Sequence, residues 1–285
     1  MIRILRILAP NPGLLTLEGT NTWIVGAGPS LVIDPGPLDD GHLAEVATAA
    51  RGVAAVLLTH DHADHAEGAT AFAERVGAPL IAARPPRGGE RLRDGQTFRA
   101  AGVELAAIAT PGHSVDHVAF HEPMTGALFT GDAVLGRGTS VIDPPDGDLA
   151  AYLRSLRRMR DLAPRTIHPG HGPLVLRAIA KLDAYLEHRA ERERAILALL
   201  AFGPSTPERL AREIYTDILP EARPLAERTV LAHLQKLQAD GRVDRDPRDT
   251  WRAAEERTCA RCGRPMRGRG RFCGACAVSN LQEPG

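Results

Sequence analysis

The segment Leu57–Gly68, LLTHDHADHAEG, places four side chains able to bind a metal within six residues: His60, His62, Asp64 and His65. Imidazole and carboxylate suit zinc, iron or manganese. An apolar run ends at Thr59, and just past a strand end side chains two residues apart point to one side. His60 and His62 can therefore share one ion, while Asp64 and His65, on the turn into a helix, can point at a second. A lone histidine is usually a surface or structural residue. Three histidines and two aspartates on one strand-to-helix turn are too many to meet there by accident, and His60, His62, Asp64 and His65 are the candidate donors among them. Three more candidates follow: His113 in TPGH, Asp132 in TGD and His171 in HPGHG. Each follows an apolar run beside a glycine, where backbone approaches a site closely. Seven such side chains suffice for two ions with three protein ligands each and one shared carboxylate. The spacing leaves His113 and His117 as alternatives, and likewise His168 and His171. His42, His121, His188 and His233 have no such context and read as surface or satisfied core residues.

The elements that must position these groups alternate along residues 1–188. Strands are expected at Leu14–Leu17, Thr22–Val25, Leu31–Ile33, Val53–Leu58, Val103–Ile108, His117–Phe120 and Ala127–Thr130, with the N-terminal MIRILRIL as a first strand. Turn signals bound them at Pro10–Gly13, Gly26–Pro29, Asp34–Pro37, Pro111–Gly112 and Pro123–Gly126. Helices are expected at Asp40–Arg51, Ala66–Val76, Asp148–Asp161 and Leu174–Glu187. In the third, Leu149, Tyr152, Leu153, Leu156 and Met159 form one apolar face. The pattern is α/β, sheets covered by helices.

Residues 189–254 read as a second domain. Ile196 to Leu200 form a helix face ending at Gly203-Pro204. Thr206 or Ser205 caps a short helix with Pro207 in its first turn. Leu225–Ala239 follows, with Gly241 as its stop, and Arg242–Trp251 fits a small β-wing. Three short helices and a wing make a winged-helix pattern, with a helical dimerisation domain as the plainer reading. Residues 255–285 carry all four cysteines, Cys259-x2-Cys262-x10-Cys273-x2-Cys276. Paired thiolates at this spacing predict a closed, structural zinc ribbon with four cysteine ligands. Arg261 within the first pair and Arg264, Arg267, Arg269, Arg271 and Phe272 between the pairs could grip phosphate and stack a base, or form a solvated loop.

Composition bounds the class. The 285 residues carry 35 basic and 35 acidic side chains, so no electrostatic footprint for nucleic acid spans the whole chain. Neutrality averages an acidic first domain with a basic tail. No run of 18 apolar residues predicts a membrane span. The N-terminal apolar run is broken by Arg3 and Arg6 and stops at Pro10, unlike a signal peptide. With the late cysteines, the expectation is a cytoplasmic protein with no membrane partner.

The order His-x-His-x-Asp-His, then His, Asp and His, resembles the metallo-β-lactamase superfamily. The resemblance implies an αββα sandwich with its site at one edge of the two sheets. It implies that His60, His62 and His113 bind one ion, that Asp64, His65 and His171 bind the other, and that Asp132 bridges them. Asp64 and Asp132 are the candidate catalytic carboxylates. Two active-site zinc ions, with manganese or iron as alternatives, would hold a bridging water whose pKa falls toward ~7, ready to attack phosphorus or a carbonyl carbon. Thr59, Asn21 and His117 are candidates for polar support of the site.

Within the superfamily, Asp132 at the bridging position is unlike the zinc β-lactamases. Glyoxalase II shares all seven ligands but carries a glutathione-gripping helical segment not found here. GTNTWIVG, TGDAVLGRGTSVI, IHPGHGPLV and HRAERERAILALL before a winged helix are similar to the beta-lactamase-like protein two group. That group includes an animal mitochondrial endoribonuclease, which implies hydrolysis of single-stranded RNA. The alternatives are a thioesterase or lactonase on a small acyl substrate, with the C-terminal part serving a homodimer, and a nucleic-acid-binding regulator with a vestigial core. The complete ligand set argues against the last.

Overall fold

The computed structural model describes residues 2–247, 250–254, 257–258, 260–262 and 265–266. The chain divides into two units, Met1–Glu187 and His188–Gly285.

Two sheets form the first unit. One runs β1 (Ile4–Leu8), β2 (Asn21–Val25), β3 (Ser30–Ile33), β4 (Val53–Leu57), β5 (Leu80–Ala82) and β6 (Glu90–Arg91), in that order across the sheet. The first three strands are antiparallel, and the pairs from β3 onward are parallel. The other holds β7 (Thr97–Ala100), β8 (Val103–Ala109), β9 (Val118–Glu122), β10 (Ala127–Gly131) and β11 (Thr166–Pro169), ordered 11-10-9-8-7 and parallel only between β10 and β11. Strand alternation sends one set of side chains between the sheets: Trp23, Val25, Leu31, Ile33 and Leu57 from the first, Leu105, Ala107, Val118, Phe120 and Phe129 from the second. The opposite set, Ile24, Val32 and Val56, is buried with Leu43, Val46 and Ala50 of α1 (Asp40–Ala50) and Phe72 of α3 (Ala69–Val76). The second sheet also buries its outward side chains, Ala119, Leu128 and Ile167. Beside its strand ends lies α4 (Leu149–Asp161), whose Tyr152 hydroxyl donates to Ala133 O and whose Ser155 hydroxyl donates to Pro111 O. Its face of Leu149, Tyr152, Leu153, Leu156 and Met159 is buried as the periodicity predicts. Asp39 and Asp148 cap α1 and α4 by accepting from His42 N and Ala151 N, contacts typically worth about 1 kcal/mol each. The αββα architecture is thus present.

Three expectations need correction. Leu14–Leu17 is a turn closed by a single Gly13–Leu17 bridge, because Pro10, Pro12 and Gly13 deny it a ladder and Thr16 bonds back to Asn11 O. The helix expected at Ala66–Val76 is two, α2 (Ala63–Ala66) and α3, parted at Gly68, where a Cβ would lie 2.7 Å from Pro37 O. The helix expected to span Leu174–Glu187 begins at Ala178 and continues as α5 to Leu200, since no glycine or proline interrupts those 23 residues.

In the second unit, Thr206 caps α6 (Pro207–Ile214) with Pro207 in the first turn. α7 (Arg223–Ala239) ends before Gly241, and β12 (Val243–Arg245) pairs antiparallel with β13 (Trp251–Ala253). Ile196, Leu200, Leu210, Val230, Leu234, Leu237, Val243 and Trp251 make its core. The side of α7 carrying Thr229, Ala232 and His233 is buried as well, and Lys236 at its edge pairs with Glu193 of α5 at 2.7 Å. His233 is not a satisfied core residue, as neither ring nitrogen has a hydrogen bond among the described residues. A further two-stranded pair joins Arg257–Thr258 to Pro265–Met266. Of the proposed ribbon, Cys262 is exposed, while Cys259, Cys273 and Cys276 lie outside the described residues. No helix among the described residues is long and apolar enough to cross a membrane.

Candidate metal centre

The strand ends of both sheets deliver the donors. β4 runs out at Leu57, and His60 and then His62, on extended backbone, follow before α2 carries Asp64 and His65. His113 follows β8, Asp132 follows β10, and His171 follows β11. Two glycines make the approach possible. Gly112 (φ +138°) lies so close to α4 that a Cβ would sit 2.3 Å from Tyr152 Cα. At Gly170 a Cβ would be 2.5 Å from Asp132 Oδ1 and 2.7 Å from His65 Cε1, so any side chain there would enter the donor cluster.

The ligating atoms fall into three groups, each within 4.8 Å: His60, His62 and His113; His60, His65 and Asp132; Asp64, His65 and His171. His65 Nε2 is 3.3 Å from His171 Nε2, and His113 Nε2 is 3.2 Å from His62 Nδ1. All seven sequence-predicted donors are therefore gathered, with His113 rather than His117 and His171 rather than His168.

Outer partners fix which nitrogen faces inward. His65 Nδ1 is 2.8 Å from Asp34 Oδ2, so it donates outward and leaves the Nε2 lone pair to the centre. Thr59 Oγ1 donates to Asp34 Oδ2 at 2.7 Å and accepts from His60 Nδ1 at 2.9 Å, which turns His60 Nε2 inward. His113 Nδ1 donates to Val141 O at 2.9 Å and His171 Nδ1 to Gly19 O at 3.2 Å. Thr20 Oγ1 donates to Asp64 Oδ2 at 3.1 Å. The sequence reading missed Asp34, which sits at the end of β3 in the left-handed region (φ +51°) and accepts the Thr59 amide as well. Its available signal was an aspartate at a strand end just before Pro-Gly, whereas His113 was marked by following a Pro-Gly.

The three supporting residues divide. Thr59 joins His60 to Asp34 as described. His117 is buried with its ring 5.2 Å from that of His60; its Nδ1 pairs with Thr110 Oγ1, and its Nε2 has no partner among the described residues. Asn21 does not reach the donors: its amide donates to Pro169 O and Gly172 O and ties β2 to the HPGHG loop. His168 packs its ring against Trp23 and Phe129, a core role.

The electrostatics call for a cation. His60 Nε2 and Asp132 Oδ1 are buried without a hydrogen bond among the described residues. Asp132 Oδ1 does lie 3.3 and 3.2 Å from His65 and His171 Nε2, close in charge but not aligned as hydrogen bonds. Burial works to neutralise Asp132 and Asp64, yet the adjoining His65 and His171 hold both carboxyls well below their usual range. Burial also works against charging His171, yet Asp132 and Asp64 push it up to about 9, and Asp132 and Asp34 raise His65. Burial leaves His60, His113 and His117 neutral, their affinity for protons lowered. Ligating imidazoles must be neutral, so a divalent cation bound here would take the place of the protons that the ionised carboxylates draw to His65 and His171, beside the already neutral His60 and His113.

Comparison with known proteins agrees with this geometry. The metallo-beta-lactamase superfamily model matches residues 15–88 and 80–171, and the model of a beta-lactamase associated winged helix domain matches residues 206–251. A Caenorhabditis elegans protein named beta-lactamase-like protein 2 homolog is 33% identical over 87% of this chain and 88% of its own length. An Aspergillus chevalieri protein named atrochrysone carboxyl ACP thioesterase is 37% identical over 70% of this chain and 66% of its own. The crystal structure of a metallo-beta-lactamase family protein from Thermus thermophilus superposes with a TM-score of 0.73 at 26% identity, over 88% of this chain and 98% of that one. Donor geometry, sandwich and comparisons converge: the chain belongs to the metallo-beta-lactamase superfamily of metal-dependent hydrolases and carries that superfamily's associated winged helix.

Proposed function

We propose that this chain is a two-metal hydrolase of phosphodiester bonds in single-stranded RNA. The observation that carries the hydrolytic part is the position of Asp132. Its Oδ1 faces His65 and His171, and its Oδ2 lies 3.7 Å from His113 Nε2, so one carboxylate addresses both donor groups. His60, His62 and His113 would hold one ion, Asp64, His65 and His171 the other, with Asp132 between. Divalent ions, zinc with manganese or iron as alternatives, supply a Lewis acid for the scissile oxygen and lower the pKa of water toward ~7. The chain's residues supply orientation: Asp34 fixes His65 and, through Thr59, His60, while Thr20 holds Asp64 in place.

The nucleic-acid part is supported by reach. Similarity to the beta-lactamase-like protein 2 homolog runs through both modules, and the tail beyond Ala254 is basic. A second reading, hydrolysis of an acyl thioester, is favoured by the relative named as a thioesterase and by an apolar feature beside the centre. Leu14 and Leu15 are exposed on the β1–β2 connection, whose Thr20 and Gly19 bond to Asp64 and His171.

The test is a panel of single-stranded RNA, a glutathione thioester and a lactone, offered to zinc- and manganese-loaded full-length protein and to His62→Ala. Cleavage of RNA that His62→Ala abolishes without loss of fold is the expected result. Turnover of the thioester with RNA left intact selects the second reading, and turnover of none of the three overturns the hydrolytic one.

A further inference from the structure

Four of the five histidines in the donor groups have an outer partner within hydrogen-bond distance: Thr59, Asp34, Val141 and Gly19 serve His60, His65, His113 and His171. His62 differs. It turns Nδ1 toward His113, so its outward nitrogen is Nε2, and the group facing Nε2 is Asp146 Oδ2 at 3.7 Å. Both side chains are 41% exposed. Asp146 lies on residues 133–148, between β10 and α4. Its Oδ1 accepts Val115 N at 3.4 Å. The same segment supplies Val141 O and Ser140 Oγ to His113 Nδ1, at 2.9 and 3.1 Å, and is anchored at its far end where Asp148 N donates to Gly112 O. One segment thus meets the outer edges of both His62 and His113.

We propose that Asp146 is the positioning residue for His62, and that through it segment 133–148 is coupled to a cation held by His60, His62 and His113. A separation of 3.7 Å exceeds a hydrogen bond, and an exposed pair at that distance is worth little while the imidazole is neutral and free. An imidazole whose Nδ1 lone pair is drawn toward a cation becomes a stronger Nε2–H donor, and a carboxylate is its usual outer partner. Asp146 then closes on Nε2–H, fixes the tautomer that leaves Nδ1 free for the ion, and draws the segment that already holds His113 onto the centre.

This inference rests on the two-ion reading, and the experiment separates the two. Full-length wild type, Asp146→Asn, Asp146→Glu and Asp61→Asn are stripped and reloaded with cobalt(II), and affinity is read by chelator competition. Cobalt on thiolates is recognised by its sulfur charge-transfer absorption, so the d–d bands report the histidine centre alone. Asp61 controls for bare charge: it is as exposed as Asp146 but pairs with Arg84. The expected result is a roughly 10-fold loss of affinity for one of two histidine-bound ions in Asp146→Asn, with a changed d–d spectrum, partial recovery in Asp146→Glu and less than about twofold change in Asp61→Asn. Two ions in wild type with Asp146→Asn unchanged, or no weaker than Asp61→Asn, overturns the role of Asp146. Fewer than two ions on the histidine centre of wild type overturns the two-ion reading and this inference with it.

Discussion

At the scale of single residues, the centre is organised as much by what lies behind the donors as by the donors. Asp34 accepts from His65, from Thr59 and from the Thr59 amide, so it sets the tautomers of two histidines at once. Asp34→Asn should weaken binding of the active-site ions by 10–100-fold, measured by chelator competition. Unchanged affinity would show that His65 and His60 need no outer carboxylate. Four of the seven donors were legible because they crowd into the six residues between Thr59 and Ala66, and His113, Asp132 and His171 because each follows an apolar run beside a glycine. Asp34 was not, because a single aspartate before Pro-Gly has the same appearance as any turn. His168 illustrates the reverse: its buried ring against Trp23 and Phe129 depresses its pKa to about 4. The unfolded chain then binds this proton first as pH falls. Stability is full above about pH 6.5, declines toward pH 4 by up to about 3 kcal/mol, and is flat in this contribution below that. Denaturant unfolding of metal-free protein at pH 7 and 4.5 should show a smaller drop for His168→Gln than for wild type, and equal drops would contradict the assignment.

At the scale of elements, position depends on loops being allowed close together. Gly170 brings the β11 loop against Asp132 and His65 where a methyl group has no room. Gly170→Ala should lower metal content and activity at least 10-fold while far-UV circular dichroism stays native, because the clash is confined to the donor cluster. Full metal loading in that variant would mean that the loops can separate without cost. Strand existence was readable from apolar runs, and α4 from its 3.6-residue stripe. What failed was continuity. Leu14–Leu17 has the apolar content of a strand but follows Pro10, Pro12 and Gly13, which remove ladder donors and bend the chain. The helix expected to end at Glu187 runs on through the boundary expected after residue 188, since nothing in Ala178–Leu200 can break a helix. α7, the third helix of the winged-helix pattern, buries Thr229, Ala232 and His233 and ties Lys236 to Glu193, so much of its surface is committed within its own unit. Lys236→Ala should lower the stability of this unit by about 1 kcal/mol or more, read from its unfolding transition, since it leaves Glu193, only 12% exposed, without its cation.

At the scale of the whole molecule, the neutral charge balance conceals an uneven distribution: the histidine and aspartate cluster lies in the first unit, and the cysteines are confined to the last residues of the chain. The superfamily was legible because its donor order is written linearly in the sequence, whereas no motif of comparable specificity spells out the substrate. The exposed Leu14 and Leu15 and the basic tail point to different substrates. The claim on which either reading depends is that Asp132 lies between two ions. A crystal structure of the full-length protein loaded with manganese, which favours oxygen and nitrogen donors over thiolates, measures this directly by anomalous scattering. Two peaks roughly 3.5–4 Å apart are expected, one among His60, His62 and His113 and the other among Asp64, His65 and His171, with Asp132 between them. A single peak, or two peaks not spanned by Asp132, would contradict the claim.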